Sequence, residues 1–333
     1  SMTNFNTQQI HAIISKITFS DASSVQERAS DMVIKNINLG FSLDITGLEP
    51  LHAEEIRNTT IQQLQNIKKI AKISIVLTSN REASISSKTE KAKLHIEGVS
   101  KVILVAAGKG GVGKSTISAL LAHKLTAEGN KVGIIDADIY GPSIPHIFGL
   151  QGKPTLENYR MIPLQNYNIL VNSIGFLTAP SASISWRGPM TSKALYQLLS
   201  LTNWGKLDYL IIDTPPGTGD IHLSLLKNYI IDKVLMVTTP QKISELDVSR
   251  AIGLYNKFNI PIIGIIENMS YYIEPQSKQK IQLFSGRSGE IIAEKYNIPL
   301  LAQLPINPGL SADCDSGQDL SGYSELLDGV IVN

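Results

Sequence analysis

The stretch that decides the fold is Gly108-Lys109-Gly110-Gly111-Val112-Gly113-Lys114-Ser115-Thr116. It directly follows the apolar run at residues 102–107 and leads into a helical pattern that starts at Ser115. Glycines in such a turn let backbone N–H groups point at an anion, and the following helix adds its positive N-terminal end. We therefore predict a phosphate-binding P-loop, in which Lys114 reaches the β- and γ-phosphates of a nucleotide and Ser115 ligates Mg²⁺.

A strand-then-helix rhythm surrounds this loop and continues to the end of the chain. Buried parallel strands are predicted at residues 102–107, 132–135, 169–174, 209–212, 234–237, 262–266 and 300–303. Helical patterns lie between most of them, at residues 115–128, 191–201, 221–229, 244–258 and 289–296. The alternation predicts an α/β fold with a doubly wound, mainly parallel sheet, which binds its ligands beyond the carboxyl ends of the strands.

Three aspartates directly follow predicted strands at that edge of the sheet. Asp136 and Asp138 follow residues 132–135, where a carboxylate can hold a Mg²⁺-bound water or orient the water that attacks a γ-phosphate. Asp213 is the expected Walker-B carboxylate, and the glycines within residues 213–220 suit a nucleotide-sensing switch. We assign Ser115, Asp136 and Asp213 to Mg²⁺, the aspartates through water, and Asp138 to the positioning of water.

Residues 1–80 predict a small α-β-β-α-β domain. Its elements are a helix at residues 6–17, a hairpin of residues 32–37 and 41–46 around Asn38-Leu39-Gly40, a helix at 51–69 and a strand at 73–78. This segment has no cysteine and only two histidines, His11 and His52. We interpret it as a binding or positioning module, followed by a polar, flexible linker at residues 81–98 and a P-loop ATPase domain at residues 99–333.

The composition limits the partners that the protein can have. The 333 residues suggest two domains, and 30 basic against 29 acidic residues give no strong field for nucleic acid or anionic lipid. The chain has neither a bilayer-length apolar run nor the pattern of a signal peptide, so we expect a soluble cytoplasmic protein without membrane or nucleic-acid partners. Cys314 is the single cysteine, which excludes an internal disulfide.

A second lysine, Lys109, directly follows the first glycine of the loop, and this feature makes the loop similar to that of a known family. The loop resembles the deviant P-loop of the family that includes MinD, ParA, the arsenite-pump ATPase and the nitrogenase iron protein. In those proteins the early lysine crosses a dimer interface and contacts the partner's nucleotide. The resemblance implies a nucleotide-sandwich homodimer in which Lys109 is catalytic together with Lys114 and Asp138, whereas the alternative for Lys109 is a solvated loop charge.

A longer series of motifs resembles one subfamily, the Mrp/ApbC iron-sulfur cluster carrier ATPases, over about residues 99–320. The motifs are residues 109–116, Asp136-Ala137-Asp138-Ile139-Tyr140-Gly141-Pro142-Ser143, Trp186-Arg187-Gly188-Pro189-Met190, residues 213–220, Thr238-Thr239-Pro240-Gln241 and Glu267-Asn268-Met269-Ser270. The resemblance implies a homodimer that binds ATP through residues 108–116, with Asn268 at the adenine base, and hydrolyses it slowly with Mg²⁺. It also implies that the partners are apoprotein clients or iron-sulfur assembly proteins.

The sequence departs from that subfamily where the cluster would be held. Many carriers have a Cys-x-x-Cys pair after the Asn-Met-Ser stretch, whereas here Tyr271-Tyr272-Ile273 is followed by Glu274-Pro275-Gln276-Ser277. Thiolates are the usual ligands of iron-sulfur clusters. Cys314 matches a family position, so it is either one of two cluster ligands per dimer or a structural cysteine.

Two functions therefore stay open at this point. The first is an ATP-hydrolysing iron-sulfur cluster carrier, and the alternative is an ATP-driven dimerisation switch or scaffold that no longer binds a cluster. Positioning on a membrane or DNA, as in MinD or ParA, fits poorly, because residues 324–328 are acidic rather than a basic amphipathic helix.

Overall fold

The computed structural model describes residues 7–35, 38–67, 70–79, 92–177, 188–242 and 244–333. The chain divides into two compact units, Ser1–Glu90 and Lys91–Asn333. Most of the predicted linker, together with Trp186-Arg187, lies outside the described residues. Residues 92–98, predicted as the end of the linker, belong to the second unit, where Leu94 bridges to Tyr229 and Ile96 is buried.

The first unit is a three-stranded sheet with helices packed against it. Its elements are α1 (Thr7–Ile14), α2 (Val25–Arg28), β1 (Val33–Lys35), β2 (Asn38–Asp44), α3 (Pro50–Gln65) and β3 (Lys72–Thr78). Strand β2 pairs antiparallel with β1 and parallel with β3. Leu39, Phe41 and Leu43 point from β2 into the core of this unit.

The predictions for this unit have the right order of main elements but differ in detail. Asn38-Leu39-Gly40 was expected to be the hairpin turn, yet these residues start β2, and Gly40 lies opposite Val33. The alternation of buried residues simply begins at Leu39 rather than at Phe41. Helix α2 was missed because it is a single turn; it begins with a capping box in which Ser24 and Glu27 bond each other's backbone N–H groups.

The second unit contains the remaining elements. They are β4 (Val99–Ala107), α4 (Lys114–Ala127), β5 (Val132–Asp136), α5 (Ile144–Ile147), β6 (Thr155–Glu157), β7 (Arg160–Ile162), β8 (Leu164–Asn166), β9 (Ile169–Ser173), α6 (Gly188–Leu199), β10 (Leu207–Asp213), α7 (Asp220–Asn228), β11 (Lys233–Thr238), α8 (Ser244–Lys257), β12 (Ile262–Ile273), β13 (Lys280–Ile281), α9 (Ser288–Tyr296), β14 (Leu300–Pro305) and α10 (Pro308–Asp315). Two 3₁₀ segments lie at Ile174–Leu177 and Ser321–Leu327.

The main sheet confirms the predicted doubly wound, mainly parallel α/β fold. Within the described residues its strand order is β13-β12-β11-β4-β10-β5-β9-β8, and β14 also pairs with β12. Only β8 and β13 pair antiparallel in this sheet, so far as it is described. The P-loop strand β4 lies between β10 and β11, which brings the ends of β4 and β10 side by side.

Both faces of this sheet are covered by apolar packing. Along β4, Leu104 and Ala106 belong to the core that includes α6, α7 and α8, while Ile103 and Val105 belong to the core that includes α4 and the C-terminal segment. A strand buried on both faces needs a continuous apolar run, which is why β4 was recognisable in the sequence.

The largest difference from the predicted strands is at β12, which was expected to end at residue 266 but continues to Ile273. The extension includes Asn268 and is supported by pairing of Tyr272 with Ile281 on β13 and of Tyr271 with Pro305 on β14. Neither pairing could be predicted, because β14 is distant in the sequence from this part of β12 and β13 has only two residues. Among the described residues, no helix combines the length and the apolar character that crossing a bilayer demands.

Candidate nucleotide-binding site

The P-loop connects the end of β4 to the first turn of α4, as predicted. Gly111 and Gly113 have φ values of +77° and +82°, in the left-handed region that favours glycine. A Cβ atom on Gly113 would lie 2.3 Å from Nδ2 of Asn268, and one on Gly108 would lie 2.5 Å from the backbone N of Val248. The glycines are therefore required by backbone conformation and by close approach of neighbouring elements.

Three side chains beside the P-loop converge on the buried carboxylate of Asp213, at the end of β10. Lys114 Nζ lies 2.7 Å from Asp213 Oδ1, and the Ser115 hydroxyl donates to Oδ2 at 2.7 Å. A third donor, the hydroxyl of Ser118, lies 2.7 Å from Oδ1. The structure thus brings the predicted lysine, serine and aspartate together. Ser118 was missed, although its position four residues after Lys114 on the same helix face was visible in the sequence.

Asp136 and Asp138 take different positions in the loop after β5. Asp136 is fully buried and accepts from the backbone N–H groups of Asp138 (3.0 Å), Ser143 (2.7 Å) and Ile144 (2.9 Å). Burial, and next the negative charge of Asp213, raise the pKa of Asp136 to about 7. Asp136 therefore organises the loop and the start of α5, and its assignment to Mg²⁺ stays a prediction. Asp138 is half-buried and lines the cavity beside the P-loop.

Lys109 and Asn268 both make contacts inside their own chain. Lys109 Nζ lies 3.4 Å from Oε1 of Gln241, which follows β11. Asn268 Nδ2 donates to the carbonyl oxygen of Val112 at 3.0 Å, so the amide nitrogen is bound to the P-loop itself. The contact of Lys109 with Gln241 was not predicted, although Gln241 belongs to a motif that the sequence singled out.

A cavity of about 560 Å³ adjoins the P-loop, within the usual size of small-molecule sites. Besides residues 109–117 its wall includes Asp138, Ser143, His146, Ile147, Pro216, Asn268, Met269, Phe284, Pro305, Ile306, Asn307, Leu310, Ser311, Cys314 and Asp315. The wall therefore combines the polar P-loop with apolar side chains such as Ile147, Phe284 and Leu310. Such a cavity can accept a phosphate-bearing molecule with a flat, less polar end.

The residues present fit both a phosphate group and Mg²⁺. A Cβ atom on Gly111 would have no neighbour within 4 Å, so the loop leaves open space where phosphates would lie. Lys114, Ser115 and Thr116, the first residues of α4, line this cavity, and the N-terminus of a helix favours an anion. Ser115 and Asp213 supply oxygen atoms, the kind of ligand that Mg²⁺ prefers, and Asp138 adds a carboxylate to the cavity wall.

His222 on α7 ties the loop after β10 to two helices, and sequence reasoning missed it. Its Nε2 lies 2.7 Å from the carbonyl oxygen of Pro215, and its Nδ1 lies 3.0 Å from the hydroxyl of Tyr255 on α8. A carbonyl can only accept, so Nε2 carries the proton and Nδ1 accepts from the tyrosine. Burial lowers the pKa of His222 to about 4, and the ring is neutral at pH 7.

Cys314 lies on α10, in the wall of the cavity. Its side chain is buried, and Sγ is 3.9 Å from the Thr116 hydroxyl. Burial raises the pKa of the thiol, which favours the protonated form over the thiolate that binds metals. Within the described parts of the chain, no group of three or more His, Cys, Asp or Glu side chains is arranged to hold a metal ion.

The loop at residues 274–277, which stands in place of the Cys-x-x-Cys pair, is held together by hydrogen bonds to the side chain of Glu274. The Glu274 carboxylate accepts from the backbone N–H groups of Gln276 and Ser277, and hydrogen bonds from Ser277 lower the pKa of Glu274. Strand β13 follows directly and returns along β12. This segment is therefore a tight hairpin between two strands.

The P-loop before α4, the Lys114–Asp213 pair and the second loop lysine define the class of protein as a P-loop NTPase of the MinD and ParA type. The solved MinC:MinD cell division protein complex from Aquifex aeolicus supports the fold. It is 21% identical, has a TM-score of 0.50, and the match covers 69% of this chain and 93% of that one.

More specific similarities identify the family. The family model for ParA, described as the NUBPL iron-transfer P-loop NTPase, matches residues 98–326. An iron-sulfur cluster carrier protein from Rickettsia bellii is 51% identical over 325 residues, 98% of each chain. A nucleotide-binding protein from Archaeoglobus fulgidus, solved in complex with ADP, is 36% identical with a TM-score of 0.61, over 68% of this chain and 90% of that one. The chain belongs to the iron-sulfur cluster carrier family of P-loop NTPases, which confirms the resemblance found in the sequence.

Proposed function

We propose that this protein binds ATP with Mg²⁺, hydrolyses it slowly as a homodimer, and carries iron-sulfur clusters to apoproteins in the cytoplasm. The observation that supports it most is the convergence of Lys114, Ser115 and Asp213 beside the P-loop cavity. Membership of the iron-sulfur cluster carrier family supports the iron-sulfur cluster as the cargo. On the same proposal, residues 1–80 are the module that binds clients or assembly proteins, and neither nucleic acid nor a membrane is a partner.

The mechanism follows from what each side chain can do at the γ-phosphate. Lys114 exchanges its contact with Asp213 for the β- and γ-phosphates, while backbone N–H groups of the loop bind the same oxygens. Mg²⁺, held by Ser115 and by Asp213 through water, would offset negative charge on the phosphates. Asp138 orients the attacking water from the cavity wall.

Lys109 acts across the dimer interface on the partner's nucleotide. In the single chain its ammonium group is 3.4 Å from Gln241, so it must leave this acceptor to reach another subunit. Turnover therefore depends on dimerisation, and the isolated subunit is slow because it lacks the second cation. Asn268, already fixed to Val112, contacts the adenine base.

Replacement of Lys114 tests the ATPase half of the proposal. Lys114→Ala should lower ATP turnover at least 100-fold, because the γ-phosphate loses its main cationic partner. Lys124→Ala is the matched control: Lys124 lies on the same helix, is also buried and pairs with Glu128 away from the site. Undiminished turnover in Lys114→Ala, measured as phosphate release with Mg²⁺, would contradict the assignment.

The cargo half of the proposal depends on Cys314. One Cys314 from each subunit would supply two thiolate ligands per dimer, and the cluster would need further ligands from elsewhere. The burial of this thiol favours the second candidate function, an ATP-driven dimerisation switch or scaffold that carries no cluster. Both candidates share the ATPase site and differ only in cargo.

Anaerobic reconstitution with iron and sulfide separates the two candidates. For the carrier we expect a stoichiometric cluster per dimer, read from visible absorbance and from iron and sulfide content, and its loss in Cys314→Ser. Absence of a cluster in the wild-type protein would contradict the carrier and leave the switch.

A further inference from the structure

Among the described residues, Asp213 receives three side-chain hydrogen bonds, all from one face of one helix. Lys114, Ser115 and Ser118 all belong to α4, and each places its polar atom 2.7 Å from an oxygen of the carboxylate. Lys114 and Ser118 share Oδ1, whereas Ser115 contacts Oδ2. The carboxylate thus has one oxygen beside Lys114 and Ser118 and the other beside Ser115, the residue expected to bind Mg²⁺.

Of these three donors, only Ser118 has no other role in the proposed function. Lys114 is needed at the phosphates and Ser115 at the metal ion, so both reduce their contact with Asp213 when Mg²⁺-ATP binds. Ser118 cannot follow them: its side chain is fully buried, and along α4 the wall of the cavity extends only from Lys114 to Ile117. Its hydroxyl therefore stays with Asp213 in both states.

The alternative partner of the Ser118 hydroxyl is the weaker one. Its oxygen is 3.1 Å from the carbonyl of Lys114, one turn earlier on the helix, and 2.7 Å from the charged carboxylate. Hydrogen bonds to ionised acceptors are shorter and stronger than those to neutral carbonyls. The single proton is accordingly donated to Asp213.

We propose that Ser118 is a positioning residue, which holds Oδ1 of Asp213 so that Oδ2 keeps facing the Mg²⁺ site after Lys114 and Ser115 have turned to their ligands. This inference rests on the proposed Mg²⁺-ATP function. Without Ser118 a fully buried carboxylate would have no remaining side-chain donor among the described residues in the nucleotide-bound state, and it would be free to rotate away from the metal.

The test measures nucleotide affinity rather than turnover. Binding of a fluorescent ATP analogue is titrated at a series of Mg²⁺ concentrations and in EDTA, for the wild type, Ser118→Ala and Thr126→Val. Thr126 is the matched control, because its hydroxyl also bonds back one turn along α4, to Ala122, without contacting Asp213. Thermal unfolding of each protein checks that all are folded.

Mg²⁺ should raise the affinity for the ATP analogue, and in Ser118→Ala the Mg²⁺ concentration that gives half of this increase should rise about tenfold. A tenfold change is near the lower end of the free energy that a hydrogen bond to a charged group contributes. Affinity in EDTA should stay within about twofold of wild type, since Ser118 does not reach the phosphates. Thr126→Val should match wild type in both conditions.

Two results would overturn the inference while leaving the proposed function intact: an unchanged Mg²⁺ requirement in Ser118→Ala, or an equal loss of affinity with and without Mg²⁺, which indicates a general structural defect. A wild-type protein whose affinity for the analogue ignores Mg²⁺ would instead overturn the proposed function itself.

Discussion

Acidification should destabilise the second unit through His222, whose ring is buried between Pro215 and Tyr255. Its pKa is lowered from 6.5 to about 4, first by burial, and nearby Lys114 also disfavours the charged ring. The folded protein therefore binds fewer protons than the unfolded chain between these pH values. The stabilisation associated with the neutral ring is complete above about pH 6.5 and is lost as the pH falls toward 4.

The size of the effect follows from the difference of about 2.5 between the two pKa values. Each pKa unit corresponds to about 1.4 kcal/mol, so this single residue should lower the free energy of unfolding by about 3 kcal/mol between pH 7.5 and pH 4. That is a substantial part of the usual stability of a domain. Other groups titrate in the same range, so the quantity to measure is a difference between variants.

Urea denaturation followed by tryptophan fluorescence reports on the correct unit, because Trp186 and Trp204 both belong to Lys91–Asn333. His222→Gln keeps a donor for the Pro215 carbonyl but cannot titrate. Its stability relative to wild type should therefore improve by about 3 kcal/mol from pH 7.5 to pH 4. His95→Gln is the control, since His95 is exposed on the same unit. A constant difference between His222→Gln and wild type across this range would refute the reasoning.

Two further predictions concern the wall of the cavity. Gly113→Ala should weaken binding of an ATP analogue at least tenfold and lower the free energy of unfolding by about 1–2 kcal/mol, because the new methyl group would lie 2.3 Å from Asn268. The control is Gly129→Ala, at a similar φ of +91° but with no neighbour within 4 Å. It should lower the free energy of unfolding without changing the affinity for the analogue. A native thiol at Cys314 should react with a thiol reagent more than about tenfold more slowly than in urea, since it is buried and its pKa is raised; equal rates in the two conditions would contradict the described burial.

Local signals in the sequence were sufficient for much of this fold. Residues 102–107 of strand β4 are buried on both faces, so they had to be a continuous apolar run, and the P-loop needed Gly111 and Gly113 for their left-handed backbone. Short elements such as α2 and β13 were missed because one turn of helix or two residues of strand carry no periodicity. The end of β12 was misplaced because its pairing partners lie elsewhere in the chain.

The sequence by itself determined the P-loop, the order of the longer strands and helices along the chain, and the family, since each depends on neighbouring residues or on motifs in a fixed order. Tertiary structure alone decided which side chains meet. Lys114 and Asp213 are 99 positions apart, and Ser118 and His222 acquire their partners only when α4, α7 and α8 pack against the sheet. It also turned Asp136 inward to hold its own loop and buried Cys314. Orientation and burial of this kind arise from packing between distant segments, and a linear pattern of residue types does not encode them one residue at a time.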